Sequence, residues 1–403
     1  MTKIRLILIS LTIVIVSSVG IFASLYARGY RFNMAKLKFE PSGILVVKSD
    51  PTGSEIYING DYKTTSDANI SLAPGTYDVS IKKDGFIAWN KRLTIEKEIV
   101  TEINVSLFKS VPSLSPVTLS GALNPVASSD YTKIVYFVPP LENQATDKTG
   151  LWIVENVNLP IGFSKDPRKI TDGSIINSTW KFSPDGNEVL IEAGQGIFLI
   201  NAGSFTPQNQ RVNIASKYQT TLNNWKEERD KKNKSNLKSL PDEIETIFLE
   251  KTKVIEFSPD GKKMLYIASG SASLKEGLVK PLPGTSTQKE ERNTENGKIY
   301  VYDIEEDKNF LIDSNSDGYI VDSINPENPS KRLAWFPNSF NLVFAEEGKI
   351  SILDYDGTNR QEIYSGAYIA PYAFPFASTQ KLMILTNLGA DSSTPNLYSL
   401  TIK

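Results

Sequence analysis

One pattern, repeated along the chain, limits what these 403 residues can fold into more than any single residue does. In residues 180–201 a β-type run leads into Ser183-Pro184-Asp185-Gly186, a second run follows, and after a gap comes a third. The same order returns in residues 255–267 around Ser258-Pro259-Asp260-Gly261, paired with residues 298–303. It returns again in residues 334–344 around Pro337-Asn338-Ser339, paired with residues 349–354. Weaker copies are residues 124–136 with 151–154, and residues 373–385 with 396–400. The turn is mechanical. Pro fits position i+1 of a type I turn, Asp accepts backbone N–H groups, and Gly takes the positive φ that follows. Each unit is thus a small antiparallel sheet that needs neighbours on both faces, and such repeats stack.

Composition removes most catalytic chemistry. The chain has no cysteine and no histidine, which excludes disulfides, thiolate or imidazole metal sites and histidine-based triads. Forty-four Lys and Arg against 46 Asp and Glu give a net charge of −2, so no partner is implied by charge imbalance and no nucleic acid is expected. No phosphate-cradling glycine loop is present, and no cofactor is expected.

Residues 1–5 form a short tail, and residues 6–26 carry no charge and are rich in Ile, Leu and Val, long enough for a transmembrane helix. The stretch is long for a signal peptide, although Ser18-Val19-Gly20 offers a cleavage site, and it reads as an uncleaved single-pass anchor. Basic residues flank both ends, Lys3 and Arg5 before, Arg28, Arg31, Lys36 and Lys38 after, and charge alone leaves orientation open. Residues 27–42 follow as a juxtamembrane linker.

Residues 43–108 alternate with period two. Ile56 and Ile58 oppose Glu55 and Tyr57, Val79 and Ile81 oppose Asp78 and Ser80, and Asn59-Gly60 is a two-residue hairpin signal. A small antiparallel sandwich is expected. The run from Gly43 through Pro51-Thr52-Gly53-Ser54 to Gly60, with residues 72–86, resembles a PEGA domain, its Pro-Glu-Gly-Ala motif replaced at two positions. The resemblance implies a non-enzymatic β-sandwich, carbohydrate-binding-like, on envelope proteins at the bacterial cell surface.

From residue 109 to 403 the repeat resembles TolB-like and WD-repeat-type β-propellers. The expected fold class is all-β: a transmembrane helix, a PEGA β-sandwich, and a propeller of about five blades, with six possible. Residues 114–119 are expected to close the ring onto the last blade. Two segments interrupt the repeat. Residues 216–248, with Trp225 in a charged stretch and Pro241 before an acidic turn, are expected as a helical insertion, read as a cap on one propeller face or as a solvated excursion with Trp225 tucked against a blade. Residues 269–297, rich in Ser, Thr, Gly, Glu and Lys, are expected as a flexible surface loop.

Candidate chemistry is sparse. Asp313, Asn315 and Asp317 open like a calcium loop with Gly318 at position six, but the twelfth position is Ile324 and the nearest acid Asp322, so the strongest ligand is lacking and an acidic turn is the simpler reading. Asp185 and Asp260 are explained by their turns, and Trp89, Trp152, Trp180 and Trp335 by cores. The expectation is a non-enzymatic, membrane-anchored binding or scaffolding protein of the cell envelope. Its C-terminal domains would lie outside the cytoplasm and engage proteins or envelope glycans. The alternative is a propeller glycoside hydrolase using paired Asp or Glu carboxylates.

Overall fold

The computed structural model describes residues 2–27, 29–33, 38–140, 148–155, 166–173, 175–279, 286–321, 329–376, 378–390 and 394–403. Arg28, Lys36, Asp322, Ile324 and residues 280–285 of the expected loop lie outside the described residues. Two compact units emerge, one of residues 1–107 with 281–289, the other of residues 108–280 with 290–403.

The first unit begins with helix α1 (Thr2–Ala27), in which Ile7–Ala27 is long and apolar enough to cross a membrane. Strands β1 (Arg31–Asn33) and β2 (Lys38–Glu40) form a short antiparallel pair. The sandwich follows as β3 (Gly43–Asp50), β4 (Glu55–Ile58), β5 (Asp61–Thr65), β6 (Ala68–Leu72), β7 (Gly75–Lys82), β8 (Trp89–Ile95) and β9 (Val100–Ser106). One sheet has the order β6-β3-β9, the other β5-β4-β7-β8. Leu45, Val47, Ile56, Ile58, Val79, Ile81 and Val105 form the core between them, as the period-two alternation requires. Asn59 and Gly60 both take positive φ (52° and 87°), the pair a two-residue hairpin turn demands. One expectation needs correction. The sandwich is not wholly antiparallel, because β3 and β9 run parallel in register from Ile44↔Val100 to Asp50↔Ser106. The last strand returns beside the first after crossing the opposite sheet, a long-range pairing that no local turn encodes.

The second unit holds five larger sheets. The first is β11 (Leu123–Ala127), β12 (Lys133–Val138), β13 (Gly150–Glu155) and β14 (Arg168–Asp172); the second is β15 (Thr179–Phe182), β16 (Glu188–Ala193) and β17 (Gly196–Asn201). The third is β18 (Thr252–Phe257), β19 (Lys263–Ala268), β22 (Ile299–Asp303) and β23 (Lys308–Asp313), with the small pair β20 (Ala272–Ser273) and β21 (Asn293–Thr294) between β19 and β22 in sequence. The fourth is β24 (Tyr319–Ile320), β25 (Lys331–Trp335), β26 (Asn341–Glu346), β27 (Lys349–Asp354) and β28 (Gln361–Ser365). The fifth joins β29 (Ala373–Pro375), β30 (Lys381–Thr386) and β31 (Asn396–Thr401) to β10 (Ser113–Pro116) from the start of the unit. That last pairing, Leu114↔Leu400 among others, is the closure the sequence suggests.

Neighbouring sheets bury faces against one another, the first on the second, the third on the fourth and the first on the fifth, as in a β-propeller. Val135, Ile153 and Ile170 of the first sheet meet Trp180, Val189 and Ile191 of the second. Leu265 and Val301 of the third meet Trp335 and Phe344 of the fourth. Tyr136 and Val138 of the first meet Phe374, Met383 and Leu397 of the fifth. The insertion forms α2 (Tyr218–Leu237) and α3 (Asp242–Glu250). Leu237, Leu240, Ile244 and Phe248 bury themselves on Met264, Tyr266, Tyr300 and Tyr302, the face of the third sheet that points away from the fourth. At the other end of α2, Lys181 of the second sheet lies 5.6 Å from the Tyr218 ring centroid. The helices therefore pack on the flank of the third sheet rather than over an end of the propeller, and Trp225 is buried rather than solvated.

Candidate functional site

The repeated turns use their carboxylates for themselves. Asp185 Oδ1 accepts from Ser183 Oγ and, at 3.0 Å, from Asn187 N, while Glu188 N donates to Ser183 Oγ at 2.9 Å. Asp260 repeats this with Ser258 Oγ at 2.6 Å and Lys262 N at 3.0 Å, and Asp130 with Ser128 Oγ at 2.6 Å and Thr132 N at 3.0 Å. The left-handed position is Gly186, Gly261, Tyr131 or Ser339, with φ between 56° and 71°. Hydrogen bonds to Asp185, the Ser183 hydroxyl first, hold its carboxyl below the ordinary range. Burial raises Asp130, but the Ser128 and Thr132 donors outweigh it and leave that carboxyl low as well. The turns also join neighbouring sheets: Lys133 Nζ donates to Gly186 O at 2.7 Å, and Asp260 N to Ser339 Oγ at 3.0 Å.

Groups from four sheets converge on one buried cation. Arg332 of β25 is 8% exposed, donates from Nε to Pro371 O at 3.3 Å and sits 4.6 Å from the Phe374 ring centroid. Burial draws its guanidinium down, while Tyr131, Tyr372 and Glu256 of β18 act in the opposite sense. Trp335 Nε1 donates to the Glu256 carbonyl at 3.0 Å. Among the described residues the Arg332 guanidinium thus lies with the Glu256 carboxylate and the Tyr131, Tyr372 and Phe374 rings around it.

In the described part of the calcium-like segment the side chains bond within the turn. Asp313 Oδ1 accepts from Asn315 N at 3.1 Å, Asp313 Oδ2 from the Tyr319 hydroxyl at 2.5 Å, and Asn315 Oδ1 from Asp317 N at 2.9 Å. Among the described residues no group of three or more Asp or Glu is arranged to hold a metal ion. Trp180 and Trp335 are core residues, as expected, and Trp89 belongs to the sandwich core. Arg332 passes unnoticed in the sequence, because nothing local separates it from the surface basic residues around it.

Residues 42–110 match the PEGA domain. Comparison with curated proteins gives no match. Among solved structures, the chain is similar to a protein described as TolB from Agrobacterium tumefaciens (13% identity, 70% of this chain and 78% of the other, TM-score 0.23). It is also similar to the AfRom2 CNH domain (12%, 72% and 98%, 0.30) and to oligogalacturonate lyase from Vibrio parahaemolyticus (10%, 90% and 90%, 0.22). Scores this low carry no argument about function. The chain carries a PEGA domain and a β-propeller behind an apolar helix.

Proposed function

We propose that this protein is a non-enzymatic binding or scaffolding component of the cell envelope, anchored through α1, with both β domains outside the cytoplasm and proteins or envelope glycans as partners. The observation that carries this reading is the Arg332 cluster. Where groups from four sheets meet, the described residues place a buried guanidinium beside the Phe374 ring and the Glu256 carboxylate, which supports a packed junction over an open catalytic pocket. Recognition then falls to loops and outer surfaces, which a rigid propeller presents well. The PEGA match supports an envelope setting.

Two measurements test it. A photoreactive residue in place of exposed Val212 should crosslink an envelope protein or glycan in intact cells. Protease added to those cells should degrade the chain beyond residue 27; survival of the β domains would contradict the orientation. Release of sugar reducing ends by the purified chain, lost in Glu256→Gln, would turn the reading toward the hydrolase.

A further inference from the structure

The edge of the first propeller sheet carries a cleft of about 690 Å3, lined by Asp172, Gln195, Phe198, Gln208, Asn209 and Arg211. That volume is in the range of small-ligand sites. Three local bonds build it. Gln208 N donates to Asp172 Oδ1 at 2.6 Å, Arg211 Nε to Thr171 Oγ1 at 2.8 Å, and Arg211 Nη2 to the Asp172 carbonyl. The guanidinium is held 5.9 Å from the Phe198 ring centroid. Among the described residues no hydrogen bond reaches Asp172 Oδ2, Arg211 Nη1 or the side-chain amides of Gln195, Gln208 and Asn209.

We propose that this cleft binds a neutral saccharide. The inference rests on the binding-module reading and names the ligand class for one surface of it. Sugar hydroxyls donate and accept at once, and the cleft offers a carboxylate oxygen that only accepts, a guanidinium nitrogen that only donates, and amides that do both. Phe198 lines the cleft and adds apolar surface for sugar C–H groups beside the guanidinium that covers its ring. Asp172 and Arg211 cancel in charge, so a charged polymer gains no net attraction. Strand addition by an extended peptide is disfavoured here, because Thr206 N already donates to Ile170 O of β14 at 2.8 Å and residues 206–211 run along that edge.

The test uses the full chain in amine-oxide micelles, since sugar-headed detergents would compete. Saturation-transfer NMR is recorded with maltotriose, chitotriose, trigalacturonate and tetraalanine. The expected result is transfer from at least one neutral trisaccharide, insensitive to salt. Its affinity should fall about tenfold or more in Asp172→Asn and measurably in Asn209→Ala, with unchanged thermal melting. Absence of transfer from both neutral sugars overturns the proposal, as does transfer that persists in both variants or a preference for trigalacturonate or tetraalanine. If the sugars fail while the Val212 crosslink captures a partner, only this inference falls. If the sugars are cleaved, the binding-module reading falls instead.

Discussion

Asp130 and Asp185 show how a single side chain earns its place in this fold. Each accepts a serine hydroxyl and a backbone N–H inside its turn, and each carboxyl is held below the ordinary value of 3.8. A depressed folded-state pKa means that the unfolded chain binds more protons in the acid range, so the stability these groups contribute is full above about pH 4 to 5 and lost as pH falls through the folded values. The melting temperature should therefore drop on acidification below about pH 4, and Asp130→Asn should flatten that dependence relative to the parent chain. A parallel profile in the variant would show that Asp130 does not contribute. The role of Asp185 was legible in the sequence because its turn is local, with Pro184, Asp185 and Gly186 adjacent; that of Asp130 was not, because Ser128-Ser129-Asp130-Tyr131 carries neither Pro nor Gly. Arg332 was not legible. Its partners, Tyr131, Glu256, Pro371 and Phe374, come from distant parts of the sequence, and no spacing rule brings them together.

Elements tell the same story one step up. The period-two strands and their hairpins could be read directly, whereas the parallel β3–β9 pair and the seating of α2 and α3 depend on long-range contacts. The charged surface of α2 suggests a solvated helix, yet its last turn and α3 carry the apolar residues that bury the exposed flank of the third sheet. Phe248 is fully buried, with ring centroids of Tyr266 and Tyr302 at 5.1 and 5.2 Å. Phe248→Ala should cost about 3–5 kcal/mol in denaturant unfolding, whereas removal of a merely solvated helix side chain would cost almost nothing. A second long-range element is the segment 286–289, which belongs to the sandwich unit although it is cut from the middle of the third sheet's sequence. Thr287 Oγ1 accepts from Thr94 N at 3.1 Å and Gln288 Nε2 donates to Arg92 O at 2.7 Å, occupying outward-facing groups of the edge strand β8. Covering such an edge suppresses unwanted strand pairing. In Thr287→Ala the Thr94 amide should exchange with deuterium faster while β7 amides keep their protection; equal rates would mean that the segment does not cover the edge.

At the scale of the whole molecule, the propeller is held together by its own beginning. β10 pairs with β31, and Thr118 ties the junction, donating to Asn396 Oδ1 at 3.0 Å and accepting from Leu397 N at 2.9 Å. Thr118→Ala leaves that buried amide without its acceptor and should lower stability by about 1–3 kcal/mol, read as a shifted urea midpoint with an unchanged slope. The repeat made this architecture readable, because five similar sequence units need mutual burial and the strand ahead of the first unit has a free place beside the last. What the units recognise was not readable, since loops and clefts such as the one around Arg211 are assembled from residues with no shared motif. The central claim, a propeller that binds envelope material without altering it, is tested most directly by incubating the purified full chain with envelope glycans and envelope proteins of its own cells and analysing the retained material by mass. The account predicts that the chain is retained and its partner recovered at unchanged mass. A partner recovered in shortened form, with shortening lost in Glu256→Gln, would contradict it.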